Sequence, residues 1–440
     1  MEQELVKKDK KKISKKKRNN AILYPIYKMF SWDLLSFYSI EFLFYTITKG
    51  ISASQVLILT SLYIIFKIIF QIPTVAISEY LGKRKSIILG NIFVVLYLSL
   101  LIISSDFSWM IIAVIFSAFG FNIKTISEGN LLYDSVSTRG GDGIYTKIDS
   151  RGTSGYYILD TIFSVVAGYL FLINNYIPIY ISLFLTIIAL ILSFRFKDIY
   201  KSNEKKSDKR FFQFFKGYSV DIKDSFRFIK RSNRMRSYLI FAAIFYGTLK
   251  VMSTYKNNLL TDIGVSAELF SMIYAILSLL AAISSIFARK VQRKFKNKTL
   301  TLISLSYILS LILASAISIK FADNIALPFI LILYMINKMA DSQWWVTQYT
   351  YLKNFTTAES RMKITFTYEL IISFVASVMA MVGATILKYI NIKNCMLIVG
   401  LLILAILVVV LDYMRTRFGL KPKEYTQEDI KFYIKEKKKC

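Results

Sequence analysis

Carboxylates set inside long apolar runs are the residues of this chain whose chemistry needs explaining. Asp33 and Glu41 share one such run, eight residues apart. On a continuous helix that is just over two turns, about 12 Å along the axis, so the two lie on neighbouring parts of one face. Glu128 follows Lys124 by four residues, and Asp341 follows Lys338 by three. Both spacings put acid and base on one helix face. Asp160 and Glu369 sit in two further apolar runs. An unpaired ion at the centre of a bilayer costs about 2.5–3.5 kcal/mol even on the lenient insertion scale. A sequence keeps such groups where they face a wet cavity, pair with a cation or carry protons. A carboxyl in low dielectric favours its protonated form, and a cationic substrate beside it favours the ionised one. Glu41 is the expected proton carrier, with Asp33 second. The competing expectation for Asp33 is a fixed ion pair with Lys67 or Lys250.

Other chemistries are excluded or unsupported. The chain has no histidine, so a His-ligated metal, a His general base and a Ser-His-Asp triad are ruled out. Cys395 lies in an apolar run and Cys440 ends a lysine-rich tail, which suggests neither a disulfide framework nor a metal site. No phosphate-binding glycine loop is present, which argues against ATP-driven work. No cofactor, no metal and no enzymatic activity are expected. Tyr38, Trp344, Trp345 and Tyr349 offer aromatic surface for an apolar or cationic ligand, although Trp345 suits a bilayer interface equally well.

The elements that must position these residues are membrane helices. The 440 residues are 55% hydrophobic, more than a soluble surface permits. Helices are predicted at 24–47, 54–77, 86–104, 108–133, 152–173, 176–194, 237–257, 267–288, 299–319, 326–348, 362–387 and 391–412. The net charge of +29 does not point to nucleic acid. With both termini inside, most Lys and Arg fall in the inner links and tails, which fixes that orientation and draws them to anionic lipid headgroups. Residues 1–23 and 413–440 read as basic tails, mobile and retained, with 24–194 and 237–412 as two six-helix bundles. Between them, 195–236 carries Phe211, Phe212, Phe214 and Phe215 ahead of Asp221, Lys223, Asp224, Arg227 and Lys230. Phe226 and Ile229 are expected on one side of an amphipathic helix there.

The halves align at an offset that sets Glu128 on Asp341. Ser150-Arg151 and Ser360-Arg361 then occupy matching places, each followed by an acid, Asp160 and Glu369. The link after the second helix reads Val75-Ala76-Ile77-Ser78-Glu79-Tyr80-Leu81-Gly82-Lys83-Arg84. With the six-plus-six layout, this loop resembles that of the major facilitator superfamily of secondary transporters, Gly-x-x-x-Asp-Arg-x-Gly-Arg-Lys. Glu79 stands for the family's Asp, Gly82 is kept, and Lys83 and Arg84 keep the basic pair. Val75 replaces the first Gly and Tyr80 the Arg.

The resemblance implies an all-α membrane protein of twelve transmembrane helices, two six-helix bundles around a central cavity lined by helices one, four, seven and ten. Asp33, Glu41, Tyr38, Lys124, Lys250, Lys338 and Trp344 are then the expected cavity residues. Glu79, Gly82, Lys83, Arg84, Glu128, Arg151, Asp341 and Arg361 are expected to latch or gate the conformational change. The family's proline-and-glycine antiporter motif is missing from the fifth helix, which reads Gly155-Tyr156-Tyr157-Ile158-Leu159-Asp160. The expected function is proton-coupled export of an amphipathic or zwitterionic small molecule or peptide, by a monomer in a bacterial cytoplasmic membrane. Proton-coupled nutrient uptake is the alternative within transport. A non-transporting scaffold or immunity factor, working through its basic tails, is the alternative of another class.

Overall fold

The computed structural model describes residues 2–136, 142–199, 224, 226–295, 298–355 and 361–415. The side chains of Glu79, Tyr349 and Arg361 fall outside that description, as do Phe211, Phe212, Phe214, Phe215, Asp221, Lys223 and the tail from 416 to Cys440. The described residues are all helical or in turns. The long helices are α1 (Glu2–Ser31), α2 (Ala53–Leu81), α3 (Lys83–Ile103), α4 (Phe107–Val136), α5 (Asp142–Ile173), α6 (Ile177–Ser193), α7 (Asn233–Asp262), α8 (Ala267–Phe295), α9 (Thr299–Lys320), α10 (Asp323–Phe355), α11 (Arg361–Tyr389) and α12 (Ile392–Arg415). Among the described residues, ten helices are long and apolar enough to cross a membrane, and Ile177–Ser193 is a shorter apolar one. Ile103, Ile286 and Val409 are 78%, 76% and 69% exposed, the inside-out pattern expected where lipid is the solvent.

Two compact units organise the chain. The first holds Met1–Gly50, Phe66–Lys216 and Ala267–Ala275, the second Ile51–Ile65, Gly217–Ser266 and Ile276–Cys440. In the first, α3 and α4 cross at Gly90 and Gly120. A Cβ on Gly120 would lie 2.9 Å from the Gly90 carbonyl oxygen, and one on Gly90 would lie 2.8 Å from Lys124 Cβ. Only the missing side chains allow this approach, as at other small-residue crossings in membranes. Gly152 of α5 makes similar room, since its Cβ would meet Lys28 Cβ at 2.8 Å. In the second unit, α7 packs on α11, where the Tyr255 hydroxyl donates to the Gly383 carbonyl at 2.7 Å. The first part of α2 joins this unit through Ser61 and Ser377, whose hydroxyls are 2.8 Å apart.

The first helix departs from expectation. A continuous helix over 24–47 is predicted, but the helix stops at Ser31, and Trp32 to Phe37 form turns with Ser36 at φ 70°. A short 3-10 turn, three α-helical residues and a π turn complete the segment to Thr48. Asp33 explains part of the break: its Oδ1 accepts the Leu34 N–H at 2.8 Å, a local bond that competes with the helix. Asp33 and Glu41 therefore do not share one helical face, because the axis is interrupted between them. In the other direction α1 runs back to Glu2, so the first basic segment is helical. Asn20 holds it through both backbone groups of Lys197, at 2.8 and 3.0 Å. Lys28 anchors the same helix to α5 by an ion pair with Asp149 at 2.5 Å. In the central link, Phe228 and Ile229 are the buried pair and Phe226 is exposed.

Two consequences are measurable. Gly120→Leu forces α3 and α4 apart and should cost about 1–3 kcal/mol, read as a lower Tm of the detergent-purified protein; an unchanged Tm would mean the crossing is looser than described. Lys28→Met strands the Asp149 carboxylate and should lower Tm further, by about 3–5 kcal/mol of stability, while the double variant Lys28→Met/Asp149→Leu recovers most of it.

Candidate functional site

The break in the first helix is the centre of the site. An interrupted helix leaves carbonyls that lipid cannot satisfy. The Lys124 ammonium donates to the Ser31 carbonyl, and the Ser182 hydroxyl donates to the Leu35 carbonyl. Lys124 is buried on α4. It lies 4.4 Å from the Phe121 ring centroid and within electrostatic reach of Glu128 and Asp33. Lys124 thus reaches Asp33 electrostatically, and Lys67 is exposed.

Glu128 is buried one turn along α4. The Tyr27 hydroxyl accepts from Asn91 at 2.9 Å and has Glu128 within electrostatic reach. Lys28 is also within electrostatic reach of Glu128. Its ammonium pairs with Asp149, which accepts from the Tyr24 hydroxyl at 3.0 Å, and it stands 4.1 Å over the Trp32 ring. Asp160, about three turns beyond Asp149 on α5, is buried and within electrostatic reach of Tyr156. Lys124 thus has Asp33 and Glu128 within reach, and Lys28 has Asp149 and Glu128. Glu41 is half-buried at the start of the short helix Glu41–Leu43, with Tyr45 in electrostatic reach. Tyr38 is 45% exposed, its ring 5.8 Å from that of Tyr274.

The second unit carries its own network. Lys338 and Asp341 pair at 3.1 Å along α10, and the Trp345 indole donates to the other Asp341 oxygen at 2.9 Å. Tyr246 packs edge-on against Trp345, and the Lys250 ammonium lies 5.4 Å from the Tyr246 ring centroid. Lys256 donates to Asn337 at 3.4 Å. Trp344 is fully buried, packed between Phe241 and Phe245. Glu369 is half-buried on α11.

Around the link after α2, Gly82 takes φ 86° and frees the turn that starts α3. The Arg84 N–H donates to Asp198 Oδ1 at 3.0 Å, its guanidinium donates to the Phe194 carbonyl at 2.9 Å, and Lys83 pairs with Asp134. Asp198 thereby places a carboxylate on the positive end of α3. Arg151 is exposed on α5. Among the described residues no group of three His, Cys, Asp or Glu side chains is placed to hold a metal ion.

Sequence reasoning missed Lys28, Asp149, Tyr24, Tyr27 and Asn91. Lys28 interrupts the first apolar run as visibly as Asp33 does, and Asp149 immediately precedes the Ser150-Arg151 pair. What the sequence lacks is the pairing across helices.

The sequence model of the Major Facilitator Superfamily matches residues 29–337. No curated relative matches the sequence. Among solved structures, the nucleoside transporter NupG superposes with a TM-score of 0.68 at 13% identity, over 92% of this chain and 100% of that one. A POT family transporter in complex with 5-aminolevulinic acid gives 0.68 at 13% identity, over 90% and 96%. A bacterial homologue of the human lysosomal transporter Spinster gives 0.61 at 14% identity, over 95% and 98%. With a matching fold and a family match spanning most of its length, this multi-pass membrane protein belongs to the Major Facilitator Superfamily.

Proposed function

We propose that the protein is a secondary active transporter that exchanges protons for a small amphipathic or zwitterionic solute or peptide by alternating access, in the direction of export. The observation that carries this reading is the break in the first helix, with Asp33 and Glu128 gathered around the buried Lys124 beside it. Carboxylates are costly to keep ionised in a membrane interior. Protons and a cationic substrate group are two positive charges that can compete for them. Competition of that kind is coupling: binding the solute releases the proton, and the proton expels the solute.

In this reading Glu41 carries the transported proton with Asp33 as its partner, and Lys124 sets the resting charge at Asp33. Lys250, Lys338 and Trp344 belong to the substrate region of the second half, where lysines suit the anionic end of a zwitterion. Glu79, Gly82, Lys83, Arg84, Glu128, Arg151, Asp341 and Arg361 act in the conformational switch. The bonds of Lys83 to Asp134 and of Arg84 to Asp198 supply contacts that a change of state can break and remake. Similar solved structures include a nucleoside transporter and a transporter holding 5-aminolevulinic acid, which is consistent with a small polar solute. The protein acts as a monomer in a bacterial plasma membrane, with both termini on the basic, cytoplasmic side and no enzymatic step.

A screen of accumulation or resistance in cells with and without the gene identifies the solute. Proton flux on adding that solute to proteoliposomes then gives the direction: influx against solute efflux for export, co-directional movement for uptake. Glu41→Gln should abolish solute-driven proton flux while the purified protein keeps its elution profile and Tm. Undiminished coupled transport in that variant would remove Glu41 from its role.

A further inference from the structure

The first unit also gathers aromatic rings around its acids. Trp32 stacks on Tyr156 with ring centroids 6.1 Å apart, and Tyr156 meets Tyr157 at 5.5 Å. Tyr38 meets Tyr274 at 5.8 Å. Asp33 and Asp160 are within electrostatic reach of both Tyr156 and Tyr274. Trp32 and Tyr38 are 38% and 45% exposed, so the cluster is open on one side, while Tyr156 and Asp160 form its buried wall. One ring of the cluster already meets a cation: the Lys28 ammonium, paired with Asp149, lies 4.1 Å over Trp32.

We infer that Trp32, Tyr38, Tyr156 and Tyr274, with Asp33 and Asp160, form a subsite for an organic cation, an alkylated or aromatic ammonium group. The inference names the substrate class of the transport reading above and rests on it. Two physical arguments select that class. Ring faces attract a weakly hydrated organic cation through their quadrupole, most strongly when desolvated. A small metal cation instead needs a shell of oxygen ligands, which six side chains of this composition do not build. The carboxylates then supply long-range charge, and the rings supply shape and exclusion of water. The cation must leave when protons return to Asp33 and Asp160, which links this subsite to the proton exchange.

The test uses the full-length protein in detergent and N-methyl-4-phenylpyridinium as the probe, with 4-phenylpyridine in mildly alkaline buffer as its uncharged counterpart. The cation should bind and the uncharged compound should bind at least about tenfold more weakly. Asp160→Asn and Tyr156→Leu should each weaken the cation about tenfold, while Tyr156→Phe, which keeps the ring, should leave its binding close to that of the unaltered protein. No binding of the cation, equal binding of the uncharged compound, or indifference to Tyr156→Leu and Asp160→Asn would each overturn the inference. If both variants fail to elute as folded protein, the comparison of the two compounds on the unaltered protein decides. Solute-driven proton flux without cation binding would overturn this substrate class and leave the transport reading standing. Ring-dependent cation binding in a protein that moves no solute would do the reverse.

Discussion

A helix interrupted inside a membrane has to find partners for the backbone groups it releases, and this constraint organises the first unit. The Ser31 and Leu35 carbonyls take their partners from Lys124 of α4 and Ser182 of α6. Beside Lys124, Gly90 and Gly120 let α3 and α4 approach closely. Placing an ammonium there draws in acids, and Asp33 and Glu128 stand within its field. Lys28 repeats the arrangement one turn before the break, fixed to Asp149 and backed by Gly152. Backbone satisfaction and charge placement are therefore one problem with one solution.

That solution keeps acids and bases buried together. Buried ion pairs add little stability by themselves and are expensive to leave incomplete. Under the transport proposal, carboxylates are kept there because a further positive charge comes and goes. The second unit is built otherwise. Its Lys338–Asp341 pair is local to α10 and completed by the Trp345 indole, and Lys250 rests on an aromatic face. Under the transport proposal, the two halves thus divide the labour, with acids and tyrosines for positive groups and lysines for negative ones.

The fold was legible in the sequence to an unusual degree. Helix number, order and approximate bounds follow from apolar length alone, because a bilayer imposes the same span on every crossing helix. The i, i+3 pairing of Lys338 with Asp341 is equally local and was read correctly. Three features were not legible. The break at Trp32 to Phe37 depends on a left-handed Ser36 and on donors from α4 and α6, none of which periodicity records. The Lys28–Asp149 pair spans 121 residues. The buried state of Trp344 reflects its packing on Phe241 and Phe245, which composition cannot distinguish from a cavity wall. Local spacing was sufficient for Lys338 and Asp341, which share a helix, and failed for Lys28 and Asp149, which do not.

The central claim is that carboxylates around the broken first helix hold protons that a bound cation displaces. Proton release on binding, followed with a pH indicator in weakly buffered detergent solution, addresses it most directly. Adding N-methyl-4-phenylpyridinium to the full-length protein should acidify the solution in proportion to the cation bound, and a buffer-matched salt should not. Saturable binding with no change in proton content would contradict the account, because the acids would then be serving structure alone.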